Sequence, residues 1–239
     1  MISEEFISNL ANKYQTNVLN VRREYFQHIF LSYFYQQPKA QHIYFKGGTA
    51  LRILHNSPRF SEDLDFSSPF ITFKEIEDLL LDTLSCIEKE NIGFTVKESK
   101  QTSGEFLAIV SFEAFLPSID VKIEVSFRKV EKEGEVVAVT NNDYVPPYTV
   151  VSVTEHQLVF GKIRALLDRK KPRDFYDLYF ILRSRLIIVQ KGEVLSKALM
   201  TLNESDINFE KELKQFLPQS HWPIIRDFKA TLRKELERR

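Results

Sequence analysis

Along Ser3–Tyr35, Phe6, Leu10, Tyr14, Val18, Tyr25, Ile29 and Tyr33 recur at intervals close to whole helical turns, which predicts one long helix ended by Pro38. His42–Phe45 is a short apolar, β-prone run that closes on Lys46-Gly47-Gly48, and Thr49–Leu54 reads as one or two helical turns. Asn56, Ser57 and Pro58 form a loop before a short strand over Asp63–Phe66. Phe73–Lys89 is an amphipathic helix with Thr72 as its N-cap. Strand patterns follow at Gly93–Glu98, Glu105–Glu113 and Ile119–Phe127. In the last of these, Ile119, Val121, Ile123, Val125 and Phe127 alternate strictly with Asp120, Lys122, Glu124 and Ser126, a half-buried strand. A charged connection, Arg128–Glu135, leads to Val136–Val139. Beyond Pro146 and Pro147 the periods are helical: Thr154–Arg169, Arg173–Arg183, Gly192–Leu202, Glu204–Phe216 and Trp222 to near the end. The pattern predicts an α+β fold, a sheet with flanking helices over residues 1–147, followed by a mainly helical part over 148–239.

Composition narrows the functions open to such a chain. It has 239 residues, 33 Lys+Arg against 33 Asp+Glu, and 43% hydrophobic positions, the balance of a soluble globular protein. Zero net charge argues against nucleic-acid binding through bulk charge, leaving only a local basic patch for that purpose. The single cysteine, Cys86, can form no internal disulfide, and no Cys/His cluster has zinc-site spacing. The densest apolar stretches, Leu79–Leu81 and Leu186–Val189, fall well short of the roughly 20 residues a spanning helix needs. Glu4 and Glu5 stand where a signal peptide would carry positive charge, so a cytoplasmic location is expected, with no membrane partner.

With only seven glycines in the chain, Gly47-Gly48 needs a reason. Between a strand and a helix, two glycines permit positive φ and leave backbone N–H groups uncovered. Together with the Thr49 hydroxyl and the positive end of the next helix, those groups form a cradle suited to phosphate. Asp63 and Asp65 alternate onto the same face of the following strand, where at 4 Å their repulsion costs on the order of 4 kcal/mol at an effective dielectric near 20. A divalent cation removes that conflict, and an all-oxygen donor set favours Mg²⁺ or Mn²⁺.

Further along, the alternating strand places Asp120, Lys122 and Glu124 on its polar face. Lys162 falls inside the apolar stripe of Leu158, Val159, Ile163, Leu166 and Leu167, so its ammonium either snorkels out or meets an anion. Asp174 and Asp177 are three apart and share a face of the helix that Pro172 opens.

The runs KGGTALRILHNSPRFSEDLDF and EHQLVFGKIRALLDRKKPRDFYDLYFIL resemble the AbiEii/AbiGii nucleotidyltransferase toxins, a branch of the DNA polymerase β-like nucleotidyltransferase superfamily, over roughly residues 43–182. The resemblance implies the mixed sheet of that superfamily and transfer of a nucleoside monophosphate from an NTP. It implies that Gly47, Gly48 and Thr49 hold triphosphate oxygens, that Arg59 and Ser61 belong to the same motif, and that Asp63 and Asp65 bind the metal. A third carboxylate on a neighbouring strand would be Glu124, preferred over Asp120 because it sits deeper in its strand. Lys162 would contact nucleotide phosphates; Asp177, with Asp174, would complete the site as a base or an orienting acid, while Arg173 would instead cap its helix or pair with a neighbouring carboxylate. The family further implies a cognate antitoxin and, for some members, tRNA as acceptor.

Nucleotidyl transfer asks the protein for positioning and charge neutralisation rather than covalent chemistry. The five histidines share no motif, and no Walker A, GxSxG or GxGxxG pattern occurs. Basic residues suited to RNA are Lys162, Arg164, Arg169, Lys170, Lys171 and Arg173, with the C-terminal group Arg233–Arg239. Two other readings remain: transfer to a protein or a small molecule such as an aminoglycoside, and a non-catalytic nucleotide-binding module.

Overall fold

The computed structural model of the chain describes residues 2–127, 134–184, 186 and 192–238. Most of the predicted connection Arg128–Glu135, the end of the apolar stretch Leu186–Val189, and Arg239 of the C-terminal basic group lie outside them. The chain forms two compact units, one of Met1–Lys13, Asn17–Asn56 and Phe60–Val153, the other of Tyr14–Thr16, Ser57–Arg59 and Thr154–Arg239.

In the first unit the single long helix expected at the start is two: α1 (Glu4–Lys13) and α2 (Val18–Phe34). Gln15 takes a left-handed φ of 52°, and the Asn17 side chain accepts the Asn20 N–H at 2.8 Å, so a new helix starts there. The helical period of the apolar positions runs on across this break, which is why spacing alone hid it. α2 is buried nearly all round, because it packs on α1, on the next long helix and on the sheet.

The sheet carries seven strands in the order β3-β4-β5-β2-β1-β7-β6. They are β1 (Tyr44–Lys46), β2 (Asp63–Ser67), β3 (Phe94–Thr102), β4 (Glu105–Phe112), β5 (Ile119–Ser126), β6 (Glu135–Val139) and β7 (Tyr148–Ser152). β2 runs parallel to β5 and β1 parallel to β7, while the other pairs are antiparallel, so the sheet is mixed as expected. α3 (Gly47–His55) joins β1 to β2, and α4 (Phe73–Glu88) starts at a capping box formed by Thr72 and Glu75. β7 is a correction to the helical reading beyond Pro147. Its five residues are too few to show a period, and the ladder to β6 and β1 decides their conformation.

On the core face of the sheet, Phe45 and Phe66 face each other across the β1–β2 ladder and touch at 5.5 Å between ring centres. Phe34 of α2 lies 5.3 Å from Phe66, and Phe26 stacks on Phe112 at 4.6 Å. Burying each such ring stabilises the unit by roughly 1.5–3 kcal/mol. Leu64 and Phe66 are fully buried, and by alternation this turns Asp63 and Asp65 to the opposite face.

The second unit is helical: α5 (Glu155–Arg169), α6 (Pro172–Arg183), α7 (Glu193–Glu204), α8 (Phe209–Leu213), α9 (Trp222–Arg226) and α10 (Phe228–Glu237). Thr154 and Gln157 form a capping box at the start of α5, and Lys170, left-handed at φ 53°, ends it. The predicted helix Glu204–Phe216 begins late: an extended segment precedes α8, capped by Asn208, which runs on as a 3₁₀ helix over Lys214–Phe216; the predicted final helix is broken at Asp227. Phe175, Phe209, Tyr176 and Phe228 form the aromatic centre, with ring centres 5.0 to 5.8 Å apart along the Phe175–Phe209–Phe228–Tyr176 chain. Among the described residues no helix is long and apolar enough to cross a membrane.

Candidate functional site

On the first unit, the register of β2 against β5 puts Asp65 beside Glu124 and Asp63 beside Lys122. Neighbours across a parallel ladder share a face, so all four side chains emerge on the side of the sheet away from the Phe45–Phe66 core. Gly47 stands over the same spot. Its φ is +87°, and a Cβ there would come within 2.1 Å of Asp65 Oδ2, so backbone conformation and space both demand glycine. Gly48 is buried in the first turn of α3, and the residue before that helix, Lys46, gives it no side-chain cap. The first N–H groups of α3 therefore carry the positive end of the helix beside Asp65.

Thr49 is fully buried, and its hydroxyl donates to the Asp63 carbonyl oxygen, which ties the first turn of α3 to the start of β2. Ser61 has its carbonyl held by the Gln27 amide at 3.0 Å, and next to it Glu62 pairs with Arg23 at 3.2 Å. The other end of α3 is fixed from below. Arg52 donates to buried Glu24 at 2.6 Å and lies 3.9 Å over the Phe60 ring, while Tyr144 donates to the same Glu24 at 2.8 Å. Sequence reasoning passed over this cluster, because its members are 28 and 120 residues apart in the chain.

Glu124, the expected third carboxylate, is already paired. Lys122 Nζ lies 2.9 Å from Glu124 Oε1, both side chains being about one-third exposed. Partial burial works against the Lys122 charge, but Glu124, then Asp63 and Asp65, outweigh it and raise the ammonium's pKa. Asp120, the alternative third acid, sits at the start of β5 opposite Ser111 and is bound by Lys97 at 2.7 Å. Among the described residues, no three His, Cys, Asp or Glu side chains are arranged to hold a metal ion. Asp63 and Asp65 offer hard oxygen donors on one face, the Asp65 carboxylate lying against the bare backbone of Gly47, and such donors suit a hard divalent cation. Glu124 could join them only when Lys122 lets go.

On the second unit, Arg59, Lys162 and Asp177 meet in the interior. Arg59 grips Asp177 with two parallel hydrogen bonds, Nε to Oδ1 at 2.7 Å and Nη2 to Oδ2 at 2.9 Å, and Lys162 Nζ reaches Oδ2 at 2.8 Å. All three are buried. Burial pushes the Asp177 carboxyl pKa up, but Arg59 and then Lys162 override it and hold it at about 2. Of the two outcomes open to Lys162, snorkelling or an anion, the structure shows the second, with the anion supplied by the chain. Asp174, also buried, accepts from Arg169 at 2.6 Å and from the Lys171 N–H at 3.3 Å, closing the start of α6. Arg164, Arg169, Lys170 and Lys171 are exposed along the end of α5 and the turn after it.

Comparison with known proteins follows the same lines. The model of the AbiEii nucleotidyl transferase toxins, type IV toxin–antitoxin systems, matches residues 29–238. No curated protein matches the sequence. Among solved structures, MenT4, a nucleotidyltransferase toxin of Mycobacterium tuberculosis H37Rv, is similar at 18% identity and TM-score 0.67, covering 99% of this chain and 89% of that one. JHP933 of Helicobacter pylori is similar at 19% identity and TM-score 0.60, with 93% and 95% covered. A nucleotidyltransferase structure, also from H. pylori, has 20% identity and TM-score 0.58, with 91% and 96% covered. At these identities the likeness speaks to the fold, which all three share with this chain.

Proposed function

The chain belongs to the AbiEii family of nucleotidyl transferase toxins, and from that premise we propose that it moves a nucleoside monophosphate from an NTP onto an RNA acceptor, tRNA being the first candidate, with a divalent cation and under the control of a cognate antitoxin. The observation that carries this reading is the register that sets Asp63, Asp65 and Glu124 on one face of the sheet beside the glycine-opened start of α3.

The acceptor hydroxyl gives up its proton to water and attacks the α-phosphorus, the bond to the bridging oxygen breaks, and pyrophosphate leaves. Asp63 and Asp65 are the residues that hold Mg²⁺ or Mn²⁺, which supplies neutralisation of the charge that develops on the phosphate oxygens. The Gly47, Gly48 and Thr49 N–H groups bind triphosphate oxygens at the positive end of α3. The Thr49 hydroxyl, already donated to the Asp63 carbonyl, acts by fixing that turn against β2. Lys162 is a cation for nucleotide phosphate, with one of its three donors already on Asp177. A carboxyl held at about 2 between two cations is a poor proton acceptor near neutral pH, so Asp177 takes the orienting role rather than that of base. Arg59 does the same from the other side of that carboxylate. Asp174 shapes the start of α6. Support for an RNA acceptor is the exposed basic run of Arg164, Arg169, Lys170 and Lys171.

The test is incubation of the protein with Mg²⁺ and each α-labelled NTP, with total RNA or with cell protein, beside Asp65→Ala. Label in RNA that Asp65→Ala abolishes is the expected result. Label in protein moves the acceptor to another class, and no label in either overturns the transfer. Unchanged tRNA binding after neutralising Lys170 and Lys171 removes the basic run from the acceptor site. In cells, induction of the wild-type chain arrests growth and induction of Asp65→Ala does not.

A further inference from the structure

On the acidic face, the chain brings its own cation. Lys122 lies one ladder step from Asp63 and reaches Glu124 at 2.9 Å, so the same ammonium that binds the third carboxylate also faces the pair expected to bind metal. Its alternatives are closed. On the other flank of β5, Lys122 and Glu124 are opposite Ile109 and Leu107, which offer no charge. Asp120, the remaining acid on this face of β5, has a lysine of its own in Lys97, held at 2.7 and 2.9 Å. Each of the two carboxylates of the strand is therefore matched to a separate ammonium, Lys97 for Asp120 and Lys122 for Glu124, while on the far side of β2 Lys46 stands opposite Asp65.

We propose that Lys122 is a resident counter-ion that competes with the divalent cation for Glu124, so that metal binding by this face is coupled to release of the Lys122–Glu124 ion pair. The proposal rests on the metal-dependent transfer described above. It makes the cation affinity of the unliganded protein a property of a lysine rather than of the carboxylates alone. Two cations cannot share a few ångströms of half-buried surface without mutual repulsion, and a carboxylate oxygen held by an ammonium is not a free donor. Glu124 accordingly contributes little to metal binding while Lys122 is present.

Direct titration with Mn²⁺ in the absence of nucleotide, followed by loss of the free-ion EPR signal, separates the possibilities. The variants are Lys122→Met, Lys122→Gln, Glu124→Gln, Lys122→Met with Glu124→Gln, and Asp65→Asn, each checked for an intact fold by circular dichroism. Both Lys122 variants bind Mn²⁺ on the order of tenfold more tightly than wild type. Glu124→Gln alone changes the affinity by less than about twofold, and in the double variant the gain from Lys122→Met is lost, because the donor it released is gone. Wild-type binding that depends on Asp65 but is equal or stronger than that of both Lys122 variants overturns the counter-ion role and leaves the metal reading standing. A gain that survives in the double variant overturns it as well, since Glu124 would then not be the contested ligand. If no variant binds Mn²⁺ and Asp65→Asn is silent, the metal reading fails and the counter-ion role fails with it.

Discussion

Two charged clusters of this chain are built from similar parts and are opposite in character. The cluster on β2 and β5 sets Asp63, Asp65 and Glu124 beside Lys122, with Lys46 opposite Asp65 across the β1–β2 ladder, at a half-exposed sheet face. The cluster on the second unit sets Arg59 and Lys162 against one carboxylate, with all three side chains out of water. In the first, negative charge exceeds positive and water can reach it, so a small cation can enter and leave. In the second, the carboxylate has no such freedom: two parallel bonds from a planar guanidinium fix its orientation, and the third bond points Lys162. An excess of like charge at an accessible surface is a feature of binding, whereas a buried, hydrogen-bonded set is a feature of alignment.

The sharpest way to break the contrast is to remove the buried carboxylate. Asp177→Ala leaves Arg59 and Lys162 facing one another in the interior, and the second unit should lose about 3–5 kcal/mol in denaturant unfolding. If the loss is below about 1 kcal/mol, water reaches the cluster and it is not the alignment device described. The acidic face should answer the opposite way. Asp65→Asn should lower transfer by on the order of a hundred- to a thousandfold, about 3–4 kcal/mol of transition-state stabilisation, while unfolding shifts by less than about 0.5 kcal/mol, because the change relieves repulsion. A variant that loses activity and stability together would place Asp65 among the structural residues.

Acid separates the clusters further. The Asp177 carboxyl ordinarily titrates near 3.8 and is held at about 2 in the folded chain. Its folded value is depressed, so its contribution is complete above pH 4 and disappears as pH falls through about 2. The amount is about 2 kcal/mol, and it belongs to that window alone. NMR titration of the Asp177 carboxyl carbon reads the same quantity site by site; an ordinary midpoint near 4 contradicts the burial and pairing seen here.

The contrast also explains what the sequence could tell. The strict alternation of Ile119–Phe127 announced β5 and, with it, which residues share a face with Glu124; Gly47-Gly48 announced a backbone need that the φ of Gly47 and the nearness of Asp65 now account for. Lys162 inside an apolar stripe left two outcomes open, a snorkelling ammonium or an anion, and the structure pairs it with Asp177. The identity of that anion was invisible, because Asp177 is one helix further on and Arg59, its main partner, is 118 residues away. Local periods carry no information about pairs brought together by tertiary packing. The break at Gln15 and strand β7 escaped for a related reason: one is made by a single left-handed residue and a cap, the other by its neighbours in the sheet.

The smallest effect tests the least buried element of the comparison. The Lys122–Glu124 pair is partly solvated, so losing it costs little by itself: Lys122→Met should lower stability by less than about 1 kcal/mol in low salt without divalent cation. What distinguishes it from an ordinary surface pair is its recovery. At about 1 M NaCl the Debye length shrinks to about 3 Å, and the difference between wild type and variant should vanish as the carboxylates cease to repel. Millimolar Mg²⁺ should close the same gap at low ionic strength, by binding the folded variant and not the unfolded chain. The buried cluster should show neither response: the loss in Asp177→Ala should persist in salt and in Mg²⁺, since Arg59 and Lys162 are both buried. Recovery of that variant by salt would erase the distinction between a face that exchanges ions and an interior that does not.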